Sequence, residues 1–188
     1  SDRARQLLTE IMPSLLTSFG KTSQPDCALV NFDRCLGALP AGVPILAVFY
    51  SNPQLLELVG EIMGDAPRLA EHLTRRPALL DYVLEPEFYQ SVGTIEDLTK
   101  DLSTILARTN AFEDTLDACR RWVNDQKFRV GVQCLRHMID PVVGAETLTS
   151  IAEAVLVNVI PRVRNEFSKQ YGNIPAGSYA IVGYGRLG

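Results

Sequence analysis

Histidine and cysteine are scarce in this chain, with two of the first and four of the second in 188 residues. His72 and His137 stand too far apart to form a metal-binding pair on one helix, and Cys27, Cys35, Cys119 and Cys134 contain no C-x-x-C pair. Neither a zinc site nor a dithiol redox centre is therefore indicated, and the four thiols are expected to be reduced and buried as small apolar side chains. Long apolar runs are missing too. The stretch Val43 to Tyr50, interrupted by Pro44, falls far short of the roughly 20 residues needed to cross a bilayer. An excess of positive charge is also lacking: the formal net charge is −4, which gives no reason to expect nucleic acid or an anionic membrane as partner. The opening residues SDRARQLLTE are polar and charged, unlike a signal peptide, so the expected location is cytoplasmic.

What the chain does contain is enough apolar material to fold. Apolar residues make up 46% and charged residues 21%, ordinary for a globular protein. Their spacing is helical almost throughout. Leu7, Leu8, Ile11, Leu15 and Leu16 form one stripe, with Pro13 predicting a kink or two short helices. A second helix is expected from Pro25 to Gly37, and short ones over Gly42 to Tyr50 and Asn52 to Met63, the latter with Asn52 as cap and Pro53 in the first turn. Asp65-Ala66-Pro67 opens another, and Arg75-Arg76-Pro77 separates two more because the residue before a proline avoids helical geometry. Glu85 to Gly93 reads as a loop. Ile95, Leu98, Leu102, Ile105 and Leu106 predict a helix whose wet face carries Glu96, Asp97, Lys100 and Asp101. Two long helices follow, over about Phe112 to Ile139 and about Ala145 to Tyr171, the second bent near Pro161 and ended by Gly172. A short strand, Tyr179 to Val182, closes the pattern. The fold class is all-α: a multihelical elongated bundle with a single C-terminal β-strand. Its expected parts are a helical region over 1–93, a bundle with the two long helices over 94–177, and the strand with its glycine loop over 178–188.

Few residues carry chemistry. The acidic groups Glu96, Asp97, Asp101 and Glu113, Asp114, Asp117 could be drawn as metal or acid–base sites, but spacings of three and four more often mark a solvated helix face. Arg120, Arg121, Lys127, Arg129 and Arg136 lie on one helix with Trp122 and Phe128 among them. Trp122, Phe128 and Val132 are expected in the core, with the cations paired to acids such as Asp117 and Asp125. The sharpest motif is the tail, SYAIVGYGRLG, in which a short apolar run leads into Gly183-x-Gly185-x-x-Gly188. Such glycines let backbone approach a phosphate at a helix N-terminus, as in dinucleotide-binding loops. Neither the following helix nor the acidic ribose-binding residue of that fold is in the sequence, and a long helical array precedes the loop where strands and crossover helices would be needed.

Four segments in order carry a resemblance. Arg5 to Leu16, the stretch Leu73-Thr-Arg-Arg-Pro77-Ala-Leu-Leu-Asp81, the arginine-rich run Cys119-Arg-Arg-Trp122 to Phe128-Arg-Val-Gly-Val132, and Thr147 to Ala154 followed by Tyr171-Gly172 and GYGRLG together resemble the bacterial glutamine synthetase adenylyltransferases. The resemblance implies a bifunctional parent enzyme that attaches AMP from ATP to a tyrosine of glutamine synthetase and removes it again. It implies a nucleotidyltransferase of polymerase-β-like fold beginning at the C-terminal strand, with nucleotide-binding residues Gly183, Gly185, Arg186, Leu187 and Gly188. Arg186 stands where many members have lysine, and Cys134 where many have an acid. Magnesium and ATP are implied cofactors of the parent, and glutamine synthetase, the PII nitrogen-signalling protein and glutamine are its implied partners. The magnesium-binding aspartates would follow Gly188, so no catalytic residue is expected here and these residues alone are expected to turn over nothing. The other readings are a helical protein-interaction module that relays signals without catalysis and a truncated dinucleotide-dependent oxidoreductase.

Overall fold

The structure, a computed structural model, describes residues 2–38, 42–172 and 180–183. Its elements are helices α1 (Asp2–Gly20), α2 (Pro25–Gly37), α3 (Gly42–Ser51), α4 (Pro53–Asp65), α5 (Pro67–Arg75) and α6 (Leu79–Val83), a 3₁₀ turn (Pro86–Tyr89), then α7 (Ile95–Leu106), α8 (Phe112–Leu135) and α9 (Pro141–Tyr171). The described residues are helical as the periodicity demands, and the chain groups into two compact units. One unit comprises residues 1–90 and 131–136, the other 91–130 and 137–188.

In the first unit, α1 buries Leu7, Ile11, Leu15 and Phe19 on one stripe and packs against α2, α3 and α4. It continues unbroken through Pro13. Pro13 is exposed, so the carbonyl that loses its donor faces water, which makes the proline tolerable within one helix. Helix α4 is the centre of this unit. It contacts α1, α2, α3 and α5 and buries Leu55, Leu56, Leu58, Val59, Ile62 and Met63, each worth about 1.5 to 3 kcal/mol before entropy is counted. Gly60 permits a close approach of α4 to α1, and Gly64 a close approach to the turn that follows it, because a Cβ would collide with the side chain of Ser18 or Thr22 respectively. The Ser18 hydroxyl uses that proximity to donate to the Glu57 carbonyl at 3.2 Å. Phe19, Phe32 and Phe49 form an aromatic chain with centroids 5.7 and 6.1 Å apart.

In the second unit α7 packs along α9. Leu98, Leu102 and Leu106 are buried on α7, and Gly144, Ile151, Ala154 and Asn158 on α9. Thr94 and Asp97 close a capping box at the start of α7, each side chain bonding the other's backbone N–H. Asp140 caps α9 through the Val142 N–H at 2.8 Å, and Gly172 ends it with φ of 78°.

Several expectations need correction. The Asn52 side chain does not cap α4; its amide donates back to the Val48 carbonyl at 2.9 Å, which serves the end of α3 instead. Helix α8 stops at Leu135, short of Ile139, because His137 takes a left-handed φ of 55° that a helix does not tolerate. Helix α9 starts earlier than expected, at Pro141, and continues through Pro161, which is exposed like Pro13. The loop Glu85 to Gly93 contains one turn of 3₁₀ helix. Cys27 is exposed; Cys35 and Cys119 are buried and Cys134 is half-buried. Of the expected strand, Ala180 to Val182 are exposed and in no regular element, and Tyr179 lies outside the described residues. A strand exists only through its ladder partner, and among the described residues there is no second strand to supply one.

Candidate functional site

Gly183, the first glycine of the loop, is exposed and follows the irregular Ala180 to Val182. Gly185, Arg186, Leu187 and Gly188 lie outside the described residues. What can be built upward from the structure is the scaffold that the motif residues form before the loop.

The Arg-x-Pro-x-Leu-Leu-Asp element is the junction of α5 and α6. Pro77 has no N–H to donate and bars helical geometry at Arg76, so α5 ends at Arg75 and the chain re-enters helix at Leu79. Leu79 and Leu80 are buried, while Arg75 stays at the surface in an ion pair with Glu71 at 2.6 Å. The element is therefore a packed corner.

The arginine-rich run lies on α8. Trp122, Phe128 and Val132 are buried as expected, and the indole Nε1 of Trp122 donates to Asp101 at 2.7 Å. Arg129 is nearly buried and donates to the Ser91 carbonyl at 3.3 Å. Arg120 pairs with Asp117 at 3.2 Å on its own helix. Arg136 pairs with Glu61 at 2.6 Å, and that hydrogen bond holds its guanidinium more firmly protonated than usual. Burial pushes the neighbouring Tyr89 phenol above its ordinary pKa, with the charge of Arg136 opposing. These cations are spent on carbonyls and carboxylates rather than aimed together at a ligand.

The acidic groups are dispersed in the same way. Asp97 caps α7, and its pKa is held below the ordinary carboxylate value by the hydrogen bond from the Thr94 backbone, then by that from the Thr94 hydroxyl. Asp101 serves Trp122 and Asp117 serves Arg120. Among the described residues no group of three His, Cys, Asp or Glu side chains could hold a metal ion. Magnesium therefore does not fit the residues described, and no step of phosphoryl chemistry is derived from them. Burial raises the pKa of Cys35 and Cys119, which makes both poor nucleophiles. An open groove of about 990 Å³ beside α7 and α9 is lined by Glu96, Lys100, Ser103, Thr104, Arg108 and Val157 among others, and the Thr104 hydroxyl is spent on the Lys100 carbonyl at 2.9 Å.

The buried amides Gln126, Gln133 and Asn158 went unnoticed in the sequence. Gln133 is almost wholly buried, and its Nε2 donates to the carbonyls of Phe88 and Gln90 at 2.8 and 2.9 Å. The Asn158 side-chain amide donates to the Thr99 and Ala154 carbonyls at 3.0 Å, and the Asn158 backbone carbonyl accepts from Arg162 at 2.7 Å. The available signal was a lone amide beside or within an apolar run: Gln133 directly after Val130-Gly-Val132, and Asn158 between Val157 and Val159.

Helix α9 is also long and apolar enough, by length and composition, to span a bilayer, with a window of mean hydropathy 1.4. It packs on α7 within the described residues, and its C-terminal half carries Arg162, Arg164, Glu166 and Lys169.

Comparison with known proteins gives a consistent result. The family model for glutamate-ammonia ligase adenylyltransferase matches residues 56–188. Over the full 188 residues, the chain is 38% identical to the bifunctional glutamine synthetase adenylyltransferase/adenylyl-removing enzyme of Mesorhizobium japonicum. It is 37% identical to the protein of that name from Agrobacterium fabrum and 35% to that from Bartonella henselae, again over its full length. The chain spans 19% of the length of each of these relatives. No solved structure matches. A family-model match over most of the chain, together with these full-length identities, shows that the chain belongs to the glutamate-ammonia ligase adenylyltransferase family.

Proposed function

We propose that this chain is a helical section of an enzyme that regulates glutamine synthetase by attaching AMP from ATP to a tyrosine and removing it again. The similarity over all 188 residues to relatives of that printed name carries the reading. In it, residues 178–188 are the first strand and phosphate-binding loop of a polymerase-β-like nucleotidyltransferase domain. Gly183, Gly185, Arg186, Leu187 and Gly188 are its nucleotide-binding residues, the cationic Arg186 meeting phosphate charge. ATP and magnesium belong to that domain. The exposure of Ala180 to Gly183 and the lack of a partner strand among the described residues agree with a strand completed by further chain. The dinucleotide-dependent oxidoreductase is not favoured, since the described residues upstream of the loop are helical. The packed helices before the loop act as the relay between signals and catalysis, with glutamine and the PII protein as the signals and the cytoplasm as the setting.

The test uses the complete gene product with magnesium, α-labelled ATP and glutamine synthetase. Label on a glutamine synthetase tyrosine is expected. Gly185→Val and Arg186→Ala should each lower the transfer at least tenfold while leaving the circular dichroism unchanged. Unchanged transfer in both would remove the loop from the active site. The 188 residues alone should transfer nothing above background.

A further inference from the structure

Gly172 leaves helix α9 in a geometry that an L side chain does not adopt. Its φ is 78° and its ψ 172°. The glycine that commonly closes a helix takes left-handed helical angles, about 57° and 47°, which asparagine also tolerates. With ψ extended instead, a φ of that sign belongs to a region populated by glycine alone. Two plainer reasons for a glycine here fail. Space is not the reason, since a Cβ at 172 would meet nothing within 4 Å. Capping is not the reason either: the Gly172 N–H donates to the Ser168 carbonyl at 2.9 Å, an ordinary helical bond open to any residue with an N–H. What glycine alone supplies is the heading of the chain as it leaves α9. The helix is regular up to that point, with the Tyr171 ring against that of Phe167 at a centroid distance of 4.7 Å. Residues 173–182 then lead from Gly172 to Gly183, the first glycine of the loop.

We propose that Gly172 is a positioning residue for AMP transfer: it turns the chain off the end of α9 along a course that only glycine permits, and so brings the phosphate-binding loop that begins at Gly183 to the nucleotide. The inference rests on the reading of residues 178–188 as that loop. Gly172 itself touches no substrate. It acts through the loop glycines, whose backbone must approach phosphate closely, and a misplacement of about 1 Å in such a site costs on the order of 100-fold in rate. A side chain at 172 would force the chain either into forbidden angles or onto another course. Because Gly172 is exposed, no packing around it enforces the first.

The test uses the complete gene product as the parent, as Gly172→Ala, and with D-alanine placed at 172 by protein ligation. Gly37→Ala is the control, since Gly37 has no positive φ and a Cβ there meets nothing within 4 Å. D-alanine carries the same methyl group as alanine but has the mirror-image map of allowed angles, in which the angles of Gly172 are ordinary extended backbone. Gly172→Ala should lower kcat/KM for ATP at least tenfold, with the KM for glutamine synthetase and the melting temperature unchanged. The D-alanine form and Gly37→Ala should stay within about twofold of the parent. Nitroxides on genetically encoded keto residues at positions 165 and 180, both exposed, give a second reading that needs no activity. Their distance distribution should shift in Gly172→Ala and return with D-alanine. An unchanged distribution, unchanged transfer in Gly172→Ala, or equal losses with L- and D-alanine would each overturn the proposal. A parent that transfers no AMP would overturn the reading on which the proposal rests, a failure told apart from these because it precedes any variant.

Discussion

At the scale of single residues, the polar side chains that matter most are the ones a surface-minded reading passes over. Gln133 supplies two N–H groups to two loop carbonyls, and no apolar side chain can replace them. Gln133→Leu should therefore cost about 1 to 3 kcal/mol in denaturant unfolding, the penalty of stranding buried acceptors. Gln133→Glu, a carboxylate that only accepts, should be worse at neutral pH than in acid; equal stability of both variants with the parent would show that the loop carbonyls find other donors. The glycines of α4 act through what they omit. Gly60→Ala places a methyl group against the Ser18 hydroxyl and should destabilise by about 1 to 3 kcal/mol, since α1 must move away. Calorimetry on the single variant checks it, with Gly20→Ala, which meets nothing within 4 Å, as control.

At the scale of elements, periodicity and punctuation were legible and side-chain geometry was not. The stripes of α1 and α7 and the break at Pro77 follow from spacing and from proline's missing donor, and all appear in the sequence. The choice of Asn52 to bond backwards to Val48, the left-handed turn at His137, and the survival of α1 through Pro13 depend on which side faces water, which spacing alone does not reveal. Thr94 shows a signal that was passed over: its Thr-x-x-Asp start before an apolar stripe forms a capping box, whereas Asp97 was expected only on the wet face. Because Asp97 has its pKa lowered in the folded state, its contribution is present above the ordinary carboxylate pKa and is lost as pH falls through the lowered value. The start of α7 should fray on acidification, seen as a smaller hydrogen-exchange protection factor at the Asp97 amide once the intrinsic rate at each pH is divided out. In Asp97→Asn that acid-dependent step should disappear. An unchanged step in the variant would locate it elsewhere. The glycine loop belongs to the less legible part: its motif is plain in the sequence, but the strand expected before it has no partner among the described residues.

At the scale of the whole molecule, the two compact units can be followed separately by their own thiols. Cys35 reports on the first and Cys119 on the second; both are buried, with pKa values raised by that burial, so each should resist labelling until its unit opens. Exposed Cys27 should label at once. In rising denaturant, Gln133→Leu should advance the labelling of Cys35, whose unit holds Gln133, more than that of Cys119. Equal advances would mean that the chain unfolds as one cooperative block.

The first unit is discontinuous in sequence, since residues 131–136 return to it after a long excursion. During synthesis, that arrangement imposes a delay. Helices α1 to α6 can leave the ribosome and collapse, but the carbonyls of Phe88 and Gln90 wait for Gln133, and Glu61 waits for Arg136, until the end of α8 has emerged. Completion of the N-terminal unit is thus timed by the translation of a helix that mostly belongs to the other one.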